Sequence, residues 1–235
     1  MRQPRALMLF SAGFGTRMGA LTADRPKPLI RVAGRALIDH ALALAEEAGA
    51  APIVANLHYR GDQIAAHLAG RSVQLSWERE AILETGGGLR QALPLLGAGP
   101  VFTLNSDAVW TGANPLQELR AGWNADRMDA LLLLAPVAAA RGHSGKADFT
   151  MDAAGRLMRP VPPGAAGFVY LGAQVLETAG LAGFAEPAFS VNLLWDRMIA
   201  AGRAFGLVHR GGWCDVGRPE GIAEAEALLQ EAGNV

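Results

Sequence analysis

Short apolar runs alternate with segments of helical periodicity through the first 140 residues, and this alternation is the feature that most constrains the fold. The runs ALMLF (6–10) and DALLLLAPV (129–137) are apolar at successive positions, as strands covered on both faces require. The segment 35–50 instead has apolar residues at helical spacing and stops at a glycine. Strands that alternate with helices predict parallel strands joined by crossover helices in a doubly wound α/β sheet.

The pattern changes after residue 140. Residues 142–172 contain short alternating pieces, a turn at 152–155 and a proline-rich break, which predict hairpin-like β structure inserted beside the sheet. Two further helices are predicted to flank a strand pair at 204–210 and 212–217. The two flanking helices are 190–202 and 220–233; the other predicted strands are 51–56, 72–77 and 99–107, and the other predicted helices are 61–70, 87–96 and 114–125.

Composition narrows the class of protein. The chain has 235 residues, 51% of them hydrophobic, and a net charge of −1, which is typical of a globular protein with a sizeable core. A balanced charge gives no support for nucleic-acid binding. The apolar start is interrupted at 11–13, unlike a secretory signal, and the longest apolar run, 130–140, is too short to span a bilayer. We therefore expect a cytoplasmic protein that binds neither nucleic acid nor membranes, with Cys214 as a small core residue.

A glycine-rich turn follows the first predicted strand. Gly13 and Gly15 let backbone N–H groups approach phosphate oxygens closely, and Arg17 adds a positive charge. A dinucleotide-binding turn would have a third glycine where this chain has Met18, and the pattern GxxxxGK[ST] does not occur in the sequence. The alternative is a turn that needs glycine only for its backbone conformation. The arginine favours a phosphate-binding loop.

A lysine held between prolines comes ten residues later. In RPKPL, Pro26 and Pro28 restrict the backbone on both sides of Lys27. Most lysines are flexible and solvated, but a lysine on a stiff spacer within a glycine-rich loop favours a phosphate contact.

Two aspartates follow predicted strands in a similar way. Asp107 in LNSD comes at the end of the strand 99–107, and Asp215 in GWCDVG follows a short apolar strand. Either alone could be a helix cap or a turn residue. Two carboxylates that meet beside phosphates are the ligands with which Mg²⁺ is commonly bound. Asn105 could contact a sugar ring.

The segment ETGGGL (84–89) places three glycines before a predicted helix. Such a segment allows a planar base to lie against bare main chain, and the amides at the helix start can meet acceptors on that base. The alternative is a flexible loop.

These motifs, in this order and at this spacing, resemble the sugar-1-phosphate nucleotidyltransferases over nearly the whole chain. The resemblance rests on GFGTRM, RPKPL, ETGGG, LNSD and WCDVG. It implies a Rossmann-like nucleotidyltransferase fold, with a mixed, mostly parallel sheet, flanking helices and a small β insertion. It also implies one domain over 1–235, with a nucleotide-binding part to about 140 and a sugar-binding part from 141.

The resemblance further implies the reaction and the residues that carry it. A sugar 1-phosphate reacts with a nucleoside triphosphate to give a nucleotide-sugar and pyrophosphate, with Mg²⁺ as cofactor. Arg17 and Lys27 are the implied catalytic residues, and Asp107 and Asp215 the implied metal ligands. The implied nucleotide-binding residues are Ser11, Ala12, Gly13, Gly15, Thr16, Arg17, Lys27, Glu84, Thr85 and Gly86, and the implied sugar-side residues are Asn105, Lys146, Asp148 and Asn192.

The choice of substrates is less constrained than the reaction. The short chain, LETGGGL and WCDVG most resemble family members that join UTP to N-acetylmuramate 1-phosphate in peptidoglycan recycling. Mannose-1-phosphate guanylyltransferases and glucose-1-phosphate nucleotidyltransferases are alternatives, and a non-catalytic nucleotide-sugar sensor is an alternative of another class. The oligomeric state stays open.

Overall fold

The computed structural model describes residues 3–233, which form a central sheet with helices on both faces. The strands are β1 Leu7–Phe10, β2 Arg31–Val32, β3 Arg35–Ala36, β4 Ile53–Leu57, β5 Val73–Trp77, β6 Val101–Asn105, β7 Ala108–Thr111, β8 Ala130–Pro136, β9 Thr150–Met151, β10 Leu157–Met158, β11 Phe168–Leu176, β12 Ala204–Val208 and β13 Gly212–Asp215. The α-helices are α1 Leu37–Glu47, α2 Gly61–Leu68, α3 Glu84–Leu96, α4 Pro115–Gly122, α5 Asn192–Ala200 and α6 Glu220–Glu231.

The main sheet has seven strands in the order β12–β8–β11–β6–β1–β4–β5. Six of them run in the same direction, and β11 is antiparallel to both β6 and β8. The prediction of a mixed, mostly parallel sheet flanked by helices is therefore confirmed.

Burial on both faces explains the continuous apolar runs. Leu7 and Leu9 of β1 pack into a cluster with α1 and α4, whereas Met8 packs into a second cluster with α3 and α5. All three side chains are fully buried. A third cluster lies under α6 and includes Val109 of β7 and Cys214 of β13.

Residues 142–172 differ in part from the predicted hairpin-like insertion. Only β9 and β10 form an inserted hairpin, whereas Phe168–Leu176 enters the middle of the main sheet. The segment that leads into this strand contains the hairpin β9–β10 and no α-helix, and the strand runs antiparallel to both of its neighbours. The glycine at 172 interrupts the apolar pattern that would have revealed a long central strand.

Strands form at both predicted positions, 204–210 and 212–217, over shorter ranges, but the prediction that they pair with each other is wrong. β12 lies at the sheet edge beside β8, and β13 instead pairs with β7, a strand that sequence reasoning missed. The chain changes sheets at Gly211, where a Cβ atom would collide with the carbonyl oxygen of Thr111. The resulting two-stranded ribbon β7–β13 matters for the site described below.

The helices of residues 3–233 include none long and apolar enough to cross a membrane.

Asn114 caps α4 and ties it to α1. Its Oδ1 accepts hydrogen bonds from the backbone N–H groups of Leu116 and Gln117, at 2.9 and 3.3 Å. Its Nδ2 donates to the carbonyl oxygen of Leu44, at 3.0 Å. A buried capping side chain of this kind satisfies both helix-start donors and an acceptor of the neighbouring helix.

We expect Asn114→Ala to lower the free energy of unfolding by about 1–2 kcal/mol, because it removes a cap and leaves a buried carbonyl with one partner fewer. Urea unfolding followed by circular dichroism measures the change. Gln230→Ala, at an exposed position of α6, serves as the control and should change stability by less than about 0.5 kcal/mol. An Asn114→Ala variant as stable as this control would contradict the capping role.

Candidate active site

A cleft of about 310 Å³ opens at the carboxyl ends of the central strands. Phe10 at the end of β1, Asn56 in β4, Glu78 after β5 and Asn105 at the end of β6 all line it. Ligands bind at this edge in open α/β sheets because the strand ends and the loops that follow them leave a crevice there. The cleft lies where the sequence predicted a ligand site.

The glycine-rich loop after β1 forms one wall of the cleft. Gly15 has φ +66°, and a Cβ atom there would lie 2.9 Å from the Cβ of Lys27, so both conformation and packing require glycine. Gly13 has neither constraint, because its φ is not left-handed and an added Cβ would have no neighbour within 4 Å. A missing side chain at 13 therefore leaves space for a ligand. The loop residues that line the cleft are Ser11, Ala12, Gly13, Gly15, Thr16 and Arg17.

The same loop is fastened from the opposite side by the segment that follows β4. The hydroxyl of Tyr59 donates to the carbonyl oxygen of Thr22 at 2.8 Å, and Gln63 donates to that of Asp24 at 2.9 Å. The guanidinium of Arg60 also donates to the carbonyl oxygen of Ala23. These bonds hold the backbone that carries Arg17 and Lys27.

Lys27 and Asp107 form an ion pair on the cleft wall. The Lys27 Nζ donates to Asp107 Oδ2 at 2.7 Å, and only 8% of the Lys27 surface is exposed. The buried stem packs against Gly15, and the residue begins a short 3-10 turn after Pro26. Lys27 is thus immobilised with its ammonium at the cleft.

The ribbon β7–β13 brings the second aspartate to the same place. In its register Asp215 faces Ala108, and the Val216 N–H donates to the carbonyl oxygen of Asp107 at 2.9 Å. Burial raises the pKa of the Asp215 carboxyl, and the charge of Asp107 raises it further, while Lys27 and Arg17 oppose the shift. Two carboxylates and two cations therefore share one small region.

This donor set fits a magnesium ion. Mg²⁺ is usually held by one or two carboxylates and takes water and substrate phosphate oxygens as its other ligands. Asp107 lines the cleft, and Asp215 does not line it but lies close enough for its carboxyl to respond to Asp107, Lys27 and Arg17, so two carboxylates are available beside glycines and cations.

The three glycines of 86–88 have a different role from the one predicted. They lie inside the first turn of α3, and the N–H groups of Gly86 and Gly87 both donate to the carbonyl oxygen of Phe189, at 2.8 and 3.1 Å. A Cβ on Gly86 would overlap the Phe189 ring. Gly86 does not line the cleft, so this packing gives no support to a base lying against bare backbone here, and the assignment of Gly86 to the nucleotide stays a prediction.

The residues just before those glycines do line the cleft. Glu84 and Thr85 begin α3 at the cleft edge. Glu84 has φ +58°, which is unfavourable for a residue with a side chain, by about 1–2 kcal/mol. Backbone strain of this kind concentrates at ligand sites. The Thr85 Oγ1 accepts from the Val191 N–H at 2.9 Å, which ties this edge to the start of α5.

The floor near Asn105 is shaped by an irregularity in β11. The register of β11 shifts between Tyr170 and Gln174, and Gly172 there, with φ +86°, lies against the Asn105 side chain. Bulges next to sites re-aim the side chains around them. Ser106 donates its hydroxyl to the carbonyl oxygen of Phe10 at 2.7 Å, so its side chain folds back onto the end of β1.

The remaining predicted sugar-side residues have other partners and do not line this cleft. Asp148 is exposed, and its Oδ2 accepts from the Tyr170 N–H at 2.8 Å. Asn192 begins α5, and its carbonyl oxygen accepts from Arg159 at 2.7 Å. Lys146 is exposed on the segment that precedes Asp148. Their assignment to a sugar stays a prediction.

Asn56 and Glu78 are cleft residues that sequence reasoning missed. Each is a polar residue near the end of a strand, the signal that identified Asn105 and Asp107, but Asn56 lies within β4 and Glu78 follows a strand that is only partly buried. The cleft lining carries the carboxylates of Glu78, Glu84 and Asp107 together with the cations Arg17 and Lys27. Such a cleft offers cations to an anionic phosphate and carboxylate acceptors to a group with N–H donors.

Cys214 adjoins the site without taking part in it. The thiol is fully buried, and burial raises its pKa to about 12, so it stays protonated at neutral pH. A thiolate is the nucleophilic form of cysteine, and the prediction of a core residue agrees with this environment.

Comparison with known proteins relates this chain to nucleotide transferases. Residues 7–160 match the family model of the MobA-like NTP transferase domain. The N-acetylmuramate alpha-1-phosphate uridylyltransferase of Caulobacter vibrioides is 39% identical over 97% of this chain and 98% of that protein. The enzyme of the same name from Neisseria meningitidis is 32% identical over 94% of this chain and 96% of that protein.

A solved structure supports the fold. The crystal structure of HddC from Yersinia pseudotuberculosis superposes with a TM-score of 0.77 over 95% of this chain and 98% of that chain, at 20% identity. At this identity the match concerns the fold alone.

We expect Asp215→Asn to stabilise the ligand-free protein near pH 7.5. The Asp215 pKa is raised on folding, so the folded state holds the proton more tightly than the unfolded state. Stability is therefore lost as the pH rises through the folded-state pKa. Asparagine removes this loss. Thermal unfolding in EDTA at a series of pH values should show a gain near pH 7.5 that shrinks towards pH 4.

Asp126→Asn, at an exposed carboxylate, is the matched control and should change little at any pH. If Asp215→Asn has a lower melting temperature than the wild type near pH 7.5, the ionised Asp215 carboxylate does not destabilise the ligand-free protein.

Proposed function

The chain belongs to the MobA-like NTP transferase family, and from that premise we propose that it is a sugar-1-phosphate nucleotidyltransferase that joins UTP to N-acetylmuramate 1-phosphate. The products are the UDP-sugar and pyrophosphate. The observation that carries the reaction class is that Arg17, Lys27 and Asp107 line the cleft at the carboxyl ends of the central strands, with Asp215 close enough to interact with all three. The choice of substrates is supported by the two uridylyltransferases that match over nearly the full chain.

In the proposed reaction, an oxygen of the sugar 1-phosphate attacks the α-phosphorus of UTP in line. A new P–O bond forms, the bond to the bridging oxygen of the β-phosphate breaks, and pyrophosphate leaves with that electron pair. The attacking oxygen is already anionic at neutral pH, so the step needs no general base. The protein has to bring two anions together and offset the charge that accumulates.

Arg17 and Lys27 offset that charge from the glycine-rich side. Lys27 is immobilised by its buried stem, so its ammonium needs little reorganisation to meet a phosphate. Asp107 and Asp215 would hold Mg²⁺, which when bound screens the repulsion between the two substrates. Gly13 and the loop amides around it would contact the triphosphate, and Glu84 and Thr85, which line the same cleft, would contact the nucleoside.

We propose that two parts of the chain bind the two substrates. Residues to about 140 would bind the nucleotide, and residues from 141 would bind the sugar and also contribute Asp215 to the shared centre. Lys146, Asp148 and Asn192 belong to the proposed sugar side. We further propose that the reaction takes place in the cytoplasm, where nucleoside triphosphates are available, and serves peptidoglycan recycling.

A substrate screen tests the proposal. The purified protein is incubated with each of four nucleoside triphosphates and a panel of sugar 1-phosphates in the presence of Mg²⁺, and released pyrophosphate is measured. We expect the highest rate with UTP and N-acetylmuramate 1-phosphate, and none in EDTA. A preference for GTP with mannose 1-phosphate would identify the guanylyltransferase alternative. Nucleotide binding without pyrophosphate release would favour the sensor.

We expect Lys27→Ala and Asp107→Ala each to lower kcat by about a hundredfold or more, the scale at which loss of one preorganised electrostatic group acts. Initial rates of pyrophosphate release at saturating substrates measure the effect, with folding checked by circular dichroism. Gln230→Ala, on the exposed side of α6, should keep the wild-type rate. A folded variant with wild-type turnover would remove that residue from the mechanism.

A further inference from the structure

Glu78 is a buried carboxylate beneath the nucleoside end of the cleft. It follows β5 and is only 2% exposed. Its Oε1 accepts from Asn56 Nδ2, and its Oε2 accepts from the Leu83 N–H, both at 2.7 Å. Among residues 3–233 no lysine, arginine or histidine forms an ion pair with it.

Asn56 continues this chain of hydrogen bonds to the glycine-rich loop. Its Oδ1 accepts from the Ser11 N–H at 2.8 Å, and its carbonyl oxygen accepts from the Ser11 hydroxyl at 2.5 Å. The side chains of Asn56 and Glu78 therefore connect Ser11, at the phosphate end, with Leu83, just before the residues of the nucleoside end. This chain of bonds runs along the cleft lining, to which Ser11, Asn56 and Glu78 all belong.

The free-energy cost of burying the Glu78 carboxylate indicates that this residue does more than fill space. A carboxylate removed from water without a cation is expensive to bury. The helix above it also gives up a side chain, because a Cβ on Gly88 would lie 2.6 Å from Glu78 Oε1 and 3.0 Å from Asn56 Nδ2. An apolar residue would fill the same space more cheaply, but it could not bond to Asn56 and Leu83 at once.

We propose that Glu78 is a positioning residue of the nucleotide site. Through Asn56 and Leu83 it fixes the separation between the loop that holds the phosphates and the helix start that meets the nucleoside. This inference rests on the proposed function. Because both ends are engaged before and during the reaction, losing the connection weakens ground-state and transition-state binding alike, which changes KM and leaves kcat nearly unaltered.

The first test is Glu78→Gln, which keeps one oxygen acceptor but turns an NH₂ group towards a donor. We expect the KM for UTP to rise about tenfold or more, while kcat and the KM for the sugar 1-phosphate stay within about threefold of wild type. An unchanged KM for UTP in the folded variant would overturn the proposal, as would a fall confined to kcat.

The second test reverses the polarity of the central bond. In Asn56→Asp combined with Glu78→Gln, the new amide can donate to the new carboxylate, which still accepts from Ser11. The glutamine oxygen still accepts from Leu83. We expect this pair to bring the KM for UTP back to within about threefold of wild type, and Asn56→Asp alone to raise it, because two carboxylates then face each other.

The swapped pair is also compared with wild type directly, so the test does not depend on whether Glu78→Gln folds. If the folded double variant has a KM for UTP raised about tenfold, the carboxylate at position 78 is required rather than the hydrogen-bonded connection between Ser11 and Leu83. That result would overturn the positioning role.

A matched control separates positioning from general destabilisation. Thr178→Val removes a buried hydrogen bond, from Thr178 Oγ1 to the carbonyl oxygen of Gly99 at 3.2 Å, at the end of the central strands opposite to the cleft. It should lower the melting temperature with no change in the KM for UTP. If Thr178→Val raises this KM as Glu78→Gln does, the effect is one of stability and the proposal fails. A wild-type protein that binds no nucleoside triphosphate overturns the proposed function and this inference together, whereas an active wild type with an inert Glu78 overturns only the latter.

Discussion

The pairing of β13 with β7 is the contact on which the site depends. It places Asp215 beside Asp107, which follows β6. Burial raises the pKa of the Asp215 carboxyl, and the neighbouring charge of Asp107 raises it further. Lys27 and Arg17 offset part of this increase. The folded protein thus maintains an arrangement that its own electrostatics disfavour, as sites built for a charged ligand commonly do.

Much of the fold could be predicted from the sequence because its determinants are local. Continuous apolar runs mark β1 and β8, and helical periodicity marks α1 and α6, since each pattern reflects burial of the element itself. Partner choice is not local. The position of β11 between β6 and β8, and the pairing of β13 with β7 rather than β12, depend on long-range packing that spacing along the chain does not encode.

The site shows the same division. Glycines, a proline-flanked lysine and strand-end aspartates could be located by their chemistry, and the cleft contains Gly13, Lys27 and Asp107. The glycines 86–88 were predicted to contact a ligand. In the structure these positions need glycine because Phe189, Pro187 and Glu78 leave no room for a side chain. Those residues are remote along the chain or separated from the glycines by a loop. Sequence reasoning missed Asn56 and Glu78 because a single polar residue at a strand end resembles an ordinary strand terminus until its partners are known.

The central position of β11 in the sheet limits how substrate specificity can change between relatives during evolution. This nine-residue strand pairs with β6 on one side and β8 on the other. A polypeptide ending near residue 140 would leave both neighbours with open edges, which invite association with other chains. The segment proposed to bind the sugar is therefore not a detachable module. Exchange of specificity between relatives by recombination has to carry a compatible β11 along, and substitution in the flanking loops is the less disruptive route.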